Sequence, residues 1–204
     1  MESKLEQRLT FLEESRHSHY NIIKAMNVSE GFIGLDLFIM SILKRSISLV
    51  FGFITLIREE NFVCAMPLIR MQIDNLLRYH AAFLVDDQSE FVLAVWSGTP
   101  IRKIKDRNGK YMTDVYLKEE LSKDFTSLNE MYEKTSGYVH FSEEHFFNTI
   151  RASGKGEGKI EAFVGPKDKF VTTQLYEEVT ETMISITHSL LQDMADWVTK
   201  GRKS

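Results

Sequence analysis

Apolar side chains recur at helical spacing along most of this chain. From about Glu2 to Met26, Leu5, Leu9, Leu12, Tyr20 and Ile23 fall between charged positions, the pattern of an amphipathic helix. From about Leu35 to Glu60 apolar residues occur nearly all round, and only Ser41, Arg45 and Ser48 give a polar stripe, which predicts the central helix. The pattern stays helical from Asn61 to Val85, with Pro67 expected to start or kink that helix because it has no amide hydrogen. Ser89 to Ser97 predicts a shorter helix, stopped by Gly98 and Pro100, with Trp96 packed at its end.

The second half is more broken. IRKIKDRNGKYMTD is basic and polar, and its Asn108-Gly109 turn joins two short strands or an extended loop. Thr113 or Asp114 then caps a helix carrying Val115, Tyr116 and Leu121, and another helix is expected from Phe125 to Lys134 before the Ser136-Gly137 break. Ser142 is placed to cap a short helix through Phe146 and Phe147. Glycines 154, 156 and 158 mark a turn between NTIRA and KIEAFV, predicting a small β-hairpin near residues 147–164. The chain closes with a helix from about Thr172 to Lys200, with Val179, Met183, Ile186, Leu190, Met194 and Trp197 as its core stripe and Gly201 as its stop. The expected fold is a mainly α, multi-helix bundle, forming a single domain over 1–204.

Composition narrows the function classes. The chain has 204 residues, 43% of them hydrophobic and 26% charged, which is the balance of an ordinary soluble domain. Its net charge of −4 disfavours nonspecific coating of nucleic acid and leaves room only for a local basic patch. The lone Cys64 cannot form an internal disulfide, suits a cytoplasmic location and reads as a small buried hydrophobe. The N-terminus lacks the apolar region of a secretory signal. Gly31 to Ile57 is the strongest membrane candidate, but Asp36 and the Lys44-Arg45 pair leave apolar halves too short to span, so a buried core helix without stable membrane insertion is expected.

Two runs carry candidate chemistry. In PLIRMQIDNLLRYHAAFLV, Arg70, Asp74 and Arg78 are spaced by four and share one helical face. The carboxylate is expected to bridge both guanidinium groups, and the surplus positive charge suits a phosphate or carboxylate ligand. Tyr79 and His80 lie on another face. In TSGYVHFSEEH, Ser136, Tyr138, His140 and Ser142 follow a helix break. His140 there is suited to general acid or base chemistry, or to locking its segment through ring hydrogen bonds. Tyr132 and Tyr138 are suited to stacking on a base and equally to packing helices. His140 with Glu144 and His145, or His17 with His19, forms no complete ligand signature, so no metal and no cofactor are expected. SGKGEGKIEAF lacks the residue order of a phosphate-binding loop and reads as a mobile turn.

The helix order, with its arginine-bearing central helix and later Ser-Gly-Tyr-Val-His-Phe-Ser segment, resembles bacterial helical proteins related to the HEPN superfamily, from about Arg45 to Trp197. The resemblance implies a HEPN-like bundle, a homodimer, RNA or a nucleotide as partner, and metal-independent ribonuclease chemistry. HEPN ribonucleases carry an arginine followed after four to six residues by a histidine at the dimer interface. Here no arginine stands at that distance before any histidine, so Arg70 or Arg78 would have to meet His140 through the fold. In that arrangement Arg70 and Arg78 stabilise phosphate charge, Asp74 orients them, Tyr138 binds alongside and His140 transfers a proton. The alternative is a noncatalytic helical interaction or dimerisation protein, whose ladder and His140 segment only hold the bundle together.

Overall fold

Four long helices build the core: α1 (Lys4–Met26), α2 (Gly34–Arg58), α3 (Phe62–Ala81) and α8 (Thr173–Asp196). The computed structural model describes residues 3–26, 34–139, 143–153 and 159–201. His140, Ser142 and glycines 154, 156 and 158 therefore lie outside the described residues. Between α3 and α8 come α4 (Gln88–Trp96), α5 (Asp114–Leu121), α6 (Leu128–Ser136), α7 (Glu143–Thr149) and the strands β1 (Ile150–Ser153) and β2 (Lys159–Ala162). The mainly α expectation holds, and the hairpin falls where alternation placed it. β1 and β2 pair antiparallel, with Arg151 opposite Glu161 and joined to it by a 2.8 Å ion pair.

The core follows the apolar stripes. α2 packs chiefly on α3, α1 on α8, and α8 on α3, while α4 covers α2 and both α5 and α6 lean on α3. Leu9, Leu12 and Met26 of α1 meet Ile39, Leu43 and Phe53 of α2, Ile69, Ile73 and Leu77 of α3, and Met183, Ile186 and Leu190 of α8 in one buried cluster. α2 approaches α3 closely at Gly52, where an added Cβ would meet Leu68 Cδ1 at 3.3 Å. Among the described residues α2 is the one helix long and apolar enough to cross a bilayer, with half of its most apolar window buried inside the bundle.

The α2–α3 corner is set by backbone geometry. Glu60 adopts φ 58°, the left-handed region that glycine ordinarily supplies. The amide of Asn61 donates to Leu56 O at 2.8 Å and that of Glu60 to Ile57 O at 3.0 Å, so the last carbonyls of α2 are satisfied before the chain turns. The Asn61 side chain then caps α3 by accepting from the Cys64 amide at 3.1 Å. From the α8 side, the Tyr176 hydroxyl at 3.0 Å and the Asp168 amide at 2.8 Å both donate to Glu60 O.

Several expectations need correction. α3 runs through Pro67 instead of starting there, and it ends at Ala81 instead of Val85. The carbonyls beyond its end are taken up by Arg107, whose guanidinium donates to Phe83 O at 2.6 Å and to Leu84 O and Val85 O at 3.1 Å. Cys64 is exposed, because it sits on the outer face of the first turn of α3. Trp96 is 76% exposed, because α4 turns Phe91 and Val92 inward and leaves Leu93 and Trp96 outside. α6 begins at Leu128 instead of Phe125, and the closing helix ends in a wider, π-helical turn over Trp197–Gly201. Thr113 is the cap of α5, accepting from the Tyr116 amide at 3.3 Å.

Candidate functional site

Arg70, Asp74 and Arg78 do lie along one face of α3, but Asp74 does not bridge the two arginines. Its carboxylate accepts from Arg78 at 2.8 Å and, across the helix interface, from Arg45 of α2 at 2.8 Å. The partner expected from the i, i+4 spacing on the N-terminal side is replaced by one from a neighbouring helix. The reason is packing: α2 brings Arg45 alongside α3 at the height of Asp74 and Asn75, and the same Arg45 nitrogen donates to Asn75 Oδ1 at 2.7 Å.

Arg70 is held elsewhere. Its guanidinium carbon lies 3.8 Å from the centroid of the Tyr132 ring on α6, and its Nη2 donates to the Tyr132 hydroxyl at 2.5 Å. The Lys118 ammonium lies 4.7 Å from the same ring centroid and pairs with Glu133 at 2.8 Å. Asp114, at the start of α5, joins the two arginines that Asp74 does not: it accepts from Arg78 at 2.5 Å and stands 3.9 Å from Arg70. Three arginines thus share two aspartates across α2, α3 and α5. The side chains are partly buried, with Arg70 at 15% and Arg78 at 22% exposure, so the charges interact more strongly than they would in bulk water.

Inward from this cluster runs a polar chain through the apolar core. Arg45 donates to Asn75, Asn75 Nδ2 donates to Gln72 Oε1 at 2.9 Å, and Gln72 Nε2 donates to Ser46 Oγ at 2.7 Å and to Thr187 Oγ1 of α8 at 3.1 Å. Ser46 Oγ lies 2.9 Å from His19 Nε2 on α1, and His19 Nδ1 lies 2.9 Å from Ser15 O. A carbonyl only accepts, so Nδ1 carries the proton, Nε2 is the acceptor, and the Ser46 hydroxyl donates to it. Every bond then points the same way, from Arg45 to the Ser15 carbonyl. Burial holds the His19 pKa below its ordinary value against the smaller opposing effect of the Ser15 carbonyl, which matches a neutral ring.

Tyr138 does not join this cluster. Tyr138 packs edge-on against Phe62, with ring centroids 5.6 Å apart, and also lies 5.8 Å from the ring of His145. Phe62 begins α3, about two turns or roughly 12 Å of helix rise before Arg70, and as far again from Arg78. Tyr138 therefore belongs to the opposite end of α3 from Arg78. His140 lies outside the described residues. Among the described residues no group of three or more His, Cys, Asp or Glu side chains is arranged to hold a metal ion.

Arg45, Asp114, Asn75 and Gln72 are the members that the sequence did not mark as site residues. Arg45 carried a signal, as a cation in the middle of a mostly apolar helix, which requires a counter-charge from another element. Gln72 and Asn75 carried a weaker one, as amides three residues apart among the apolar positions of α3. Comparison with protein-family models, with curated proteins and with solved structures returns no match.

Proposed function

We propose that the chain is a cytoplasmic, HEPN-like helical module that recognises RNA or a nucleotide phosphate along the Arg70–Arg78 face of α3, and that it works as a homodimer. The observation that supports this reading is the arginine surplus: among the described residues Arg45, Arg70 and Arg78 pair with the carboxylates of Asp74 and Asp114, three cations to two anions, beside the Tyr132 ring. Guanidinium groups held in place by carboxylates and an aromatic ring are pre-ordered for phosphate oxygens and lose little freedom on binding. Cleavage adds one requirement, that His140 reach the same phosphate as a proton donor or acceptor.

Binding of mixed RNA by purified protein, measured against salt, tests the reading. Arg70→Ala should weaken binding and flatten its salt dependence, and His140→Ala should abolish any cleavage while leaving the fold intact. Absence of RNA and nucleotide binding in every oligomeric form overturns it. A specific observation favours the noncatalytic interaction reading as the second choice. The same ion pairs tie α2, α3 and α5 together, which is how charges that only stabilise an interface are arranged.

A further inference from the structure

Arg78 has a donor to spare. Its Nη2 serves Asp74 and Asp114, but its Nη1 is buried and has no hydrogen-bond partner among the described residues. A buried, unsatisfied nitrogen of a charged group is costly, so it calls for a further acceptor, whether water, an ion or a ligand oxygen. Arg78 also lines a surface cavity of about 520 Å³ between the end of α4, the turn at Ile101–Lys103 and the start of α5. Arg102 lines the same cavity, is exposed, and makes no hydrogen bond or ion pair among the described residues. Ile101 and Val115 give it apolar walls, and Val115 is 62% exposed. Asp114 stands at its edge, 41% exposed, between Arg78 and Arg70.

We infer that this cavity is a binding site for a phosphate monoester of nucleotide size, a deepening that rests on the phosphate-recognition reading above. Two guanidinium groups, one tethered and one unpartnered, supply the charge that a phosphate dianion requires. The volume lies within the range that encloses a small organic ligand and far exceeds what an inorganic ion fills, and the apolar walls offer a surface for the organic part. Asp114 is the competitor for Arg78. Its second oxygen already faces Arg70 at 3.9 Å, so a phosphate taking its place on Arg78 leaves the carboxylate with a cation still at hand. The site thus exchanges one anion for another at Arg78, and no covalent bond is made or broken.

Calorimetric titration of the full chain with adenosine monophosphate, inorganic phosphate and adenosine tests the assignment. Adenosine monophosphate is expected to bind more tightly than inorganic phosphate, and adenosine not at all. Arg102→Ala, on the surface and without partners, should weaken the monophosphate about tenfold with unchanged thermal stability. Asp114→Asn should tighten it several-fold, because it removes the competing charge. These opposite signs are not expected of a cluster that only holds helices together. Binding no tighter for the monophosphate than for inorganic phosphate, or equal affinity in wild type and both variants, overturns the assignment. A 5′-hydroxyl oligoribonucleotide separates this result from the wider reading: if it binds through Arg70 while the monophosphate does not, the cavity assignment alone fails. If neither binds, both fail.

Discussion

His19 Nε2 and the Ser46 hydroxyl, 2.9 Å apart and both fully buried, join α1 to α2 through a bond that exists in this sense only while the imidazole is neutral. Protonation would place a hydrogen on Nε2, reverse that bond and bury a cation whose partners among the described residues are the Ser15 carbonyl and the Ser46 hydroxyl. The folded pKa lies below 6.5, so the linkage has a definite sign. Well above pH 6.5 both the folded and unfolded chains hold a neutral ring and the His19 contribution is complete. Below it the unfolded chain takes up a proton that the folded chain refuses. Stability then falls, by at most about 1.4 kcal/mol per pH unit from this residue, until the folded pKa is passed.

Urea unfolding between pH 8 and pH 5 measures that slope. Burial lowers the His80 pKa too, with Asp124 and Glu120 opposing it, so two histidines contribute with the same sign. His19→Gln is expected to lower stability at pH 8 and to remove the His19 share of the slope. If the slope persists unchanged in that variant, His80 is its source and the His19 account is wrong.

Asp74 sets up a second test. Asp74→Ala leaves Arg45 and Arg78 without their shared anion, and a loss of roughly 1–3 kcal/mol is expected for charges that are partly exposed. A double-mutant cycle locates the partners. Arg45→Ala with Asp74→Ala should show coupling of about 1 kcal/mol, whereas Arg70→Ala with Asp74→Ala should be additive within about 0.5 kcal/mol. Coupling confined to Arg70 would restore the bridge expected from spacing alone.

At the α2–α3 corner, Glu60 occupies a left-handed conformation at φ 58° although it carries a Cβ. Glu60→Gly is expected to stabilise the chain by about 1 kcal/mol, since the strain is relieved and the carbonyl that receives Tyr176 and Asp168 is kept. The exposed Lys167 pair at 3.6 Å is lost and subtracts little. A lowered thermal midpoint would show that the Glu60 side chain contributes more than its backbone strain.

The helices were legible because their signal is local. Leu9 and Leu12, or Met183, Ile186 and Leu190, are buried where their spacing places them. The ion pairs were not legible, because spacing names only the partners available within one helix. Asp74 had arginines four residues away on both sides, and Arg45 won through the packing of α2 on α3, a relationship 29 residues apart in sequence. Trp96 shows the same limit from the apolar side: a short helix with hydrophobic residues all round, such as α4, does not say which of its faces is covered. Arg107 gave no signal, since capping carbonyls more than twenty residues away depends on where the loop returns.

Tyr132 offers the last prediction, because it contributes to the arginine cluster in two separable ways. Its ring carries the Arg70 guanidinium at 3.8 Å, and its hydroxyl accepts a hydrogen bond from Arg70 Nη2. Tyr132→Phe keeps the ring and frees the donor, so stability should fall by about 1 kcal/mol while Arg70 gains a hydrogen for an incoming phosphate. Tyr132→Leu removes both and leaves Arg70 without its platform. If Arg70 is a phosphate ligand, RNA affinity should hold or rise in Tyr132→Phe and drop in Tyr132→Leu, with chemical denaturation run in parallel to separate binding from folding. If the hydroxyl itself meets the RNA, Tyr132→Phe will lose affinity as well. If α3 and α6 are joined there for stability alone, both variants will unfold more easily and neither will change any binding.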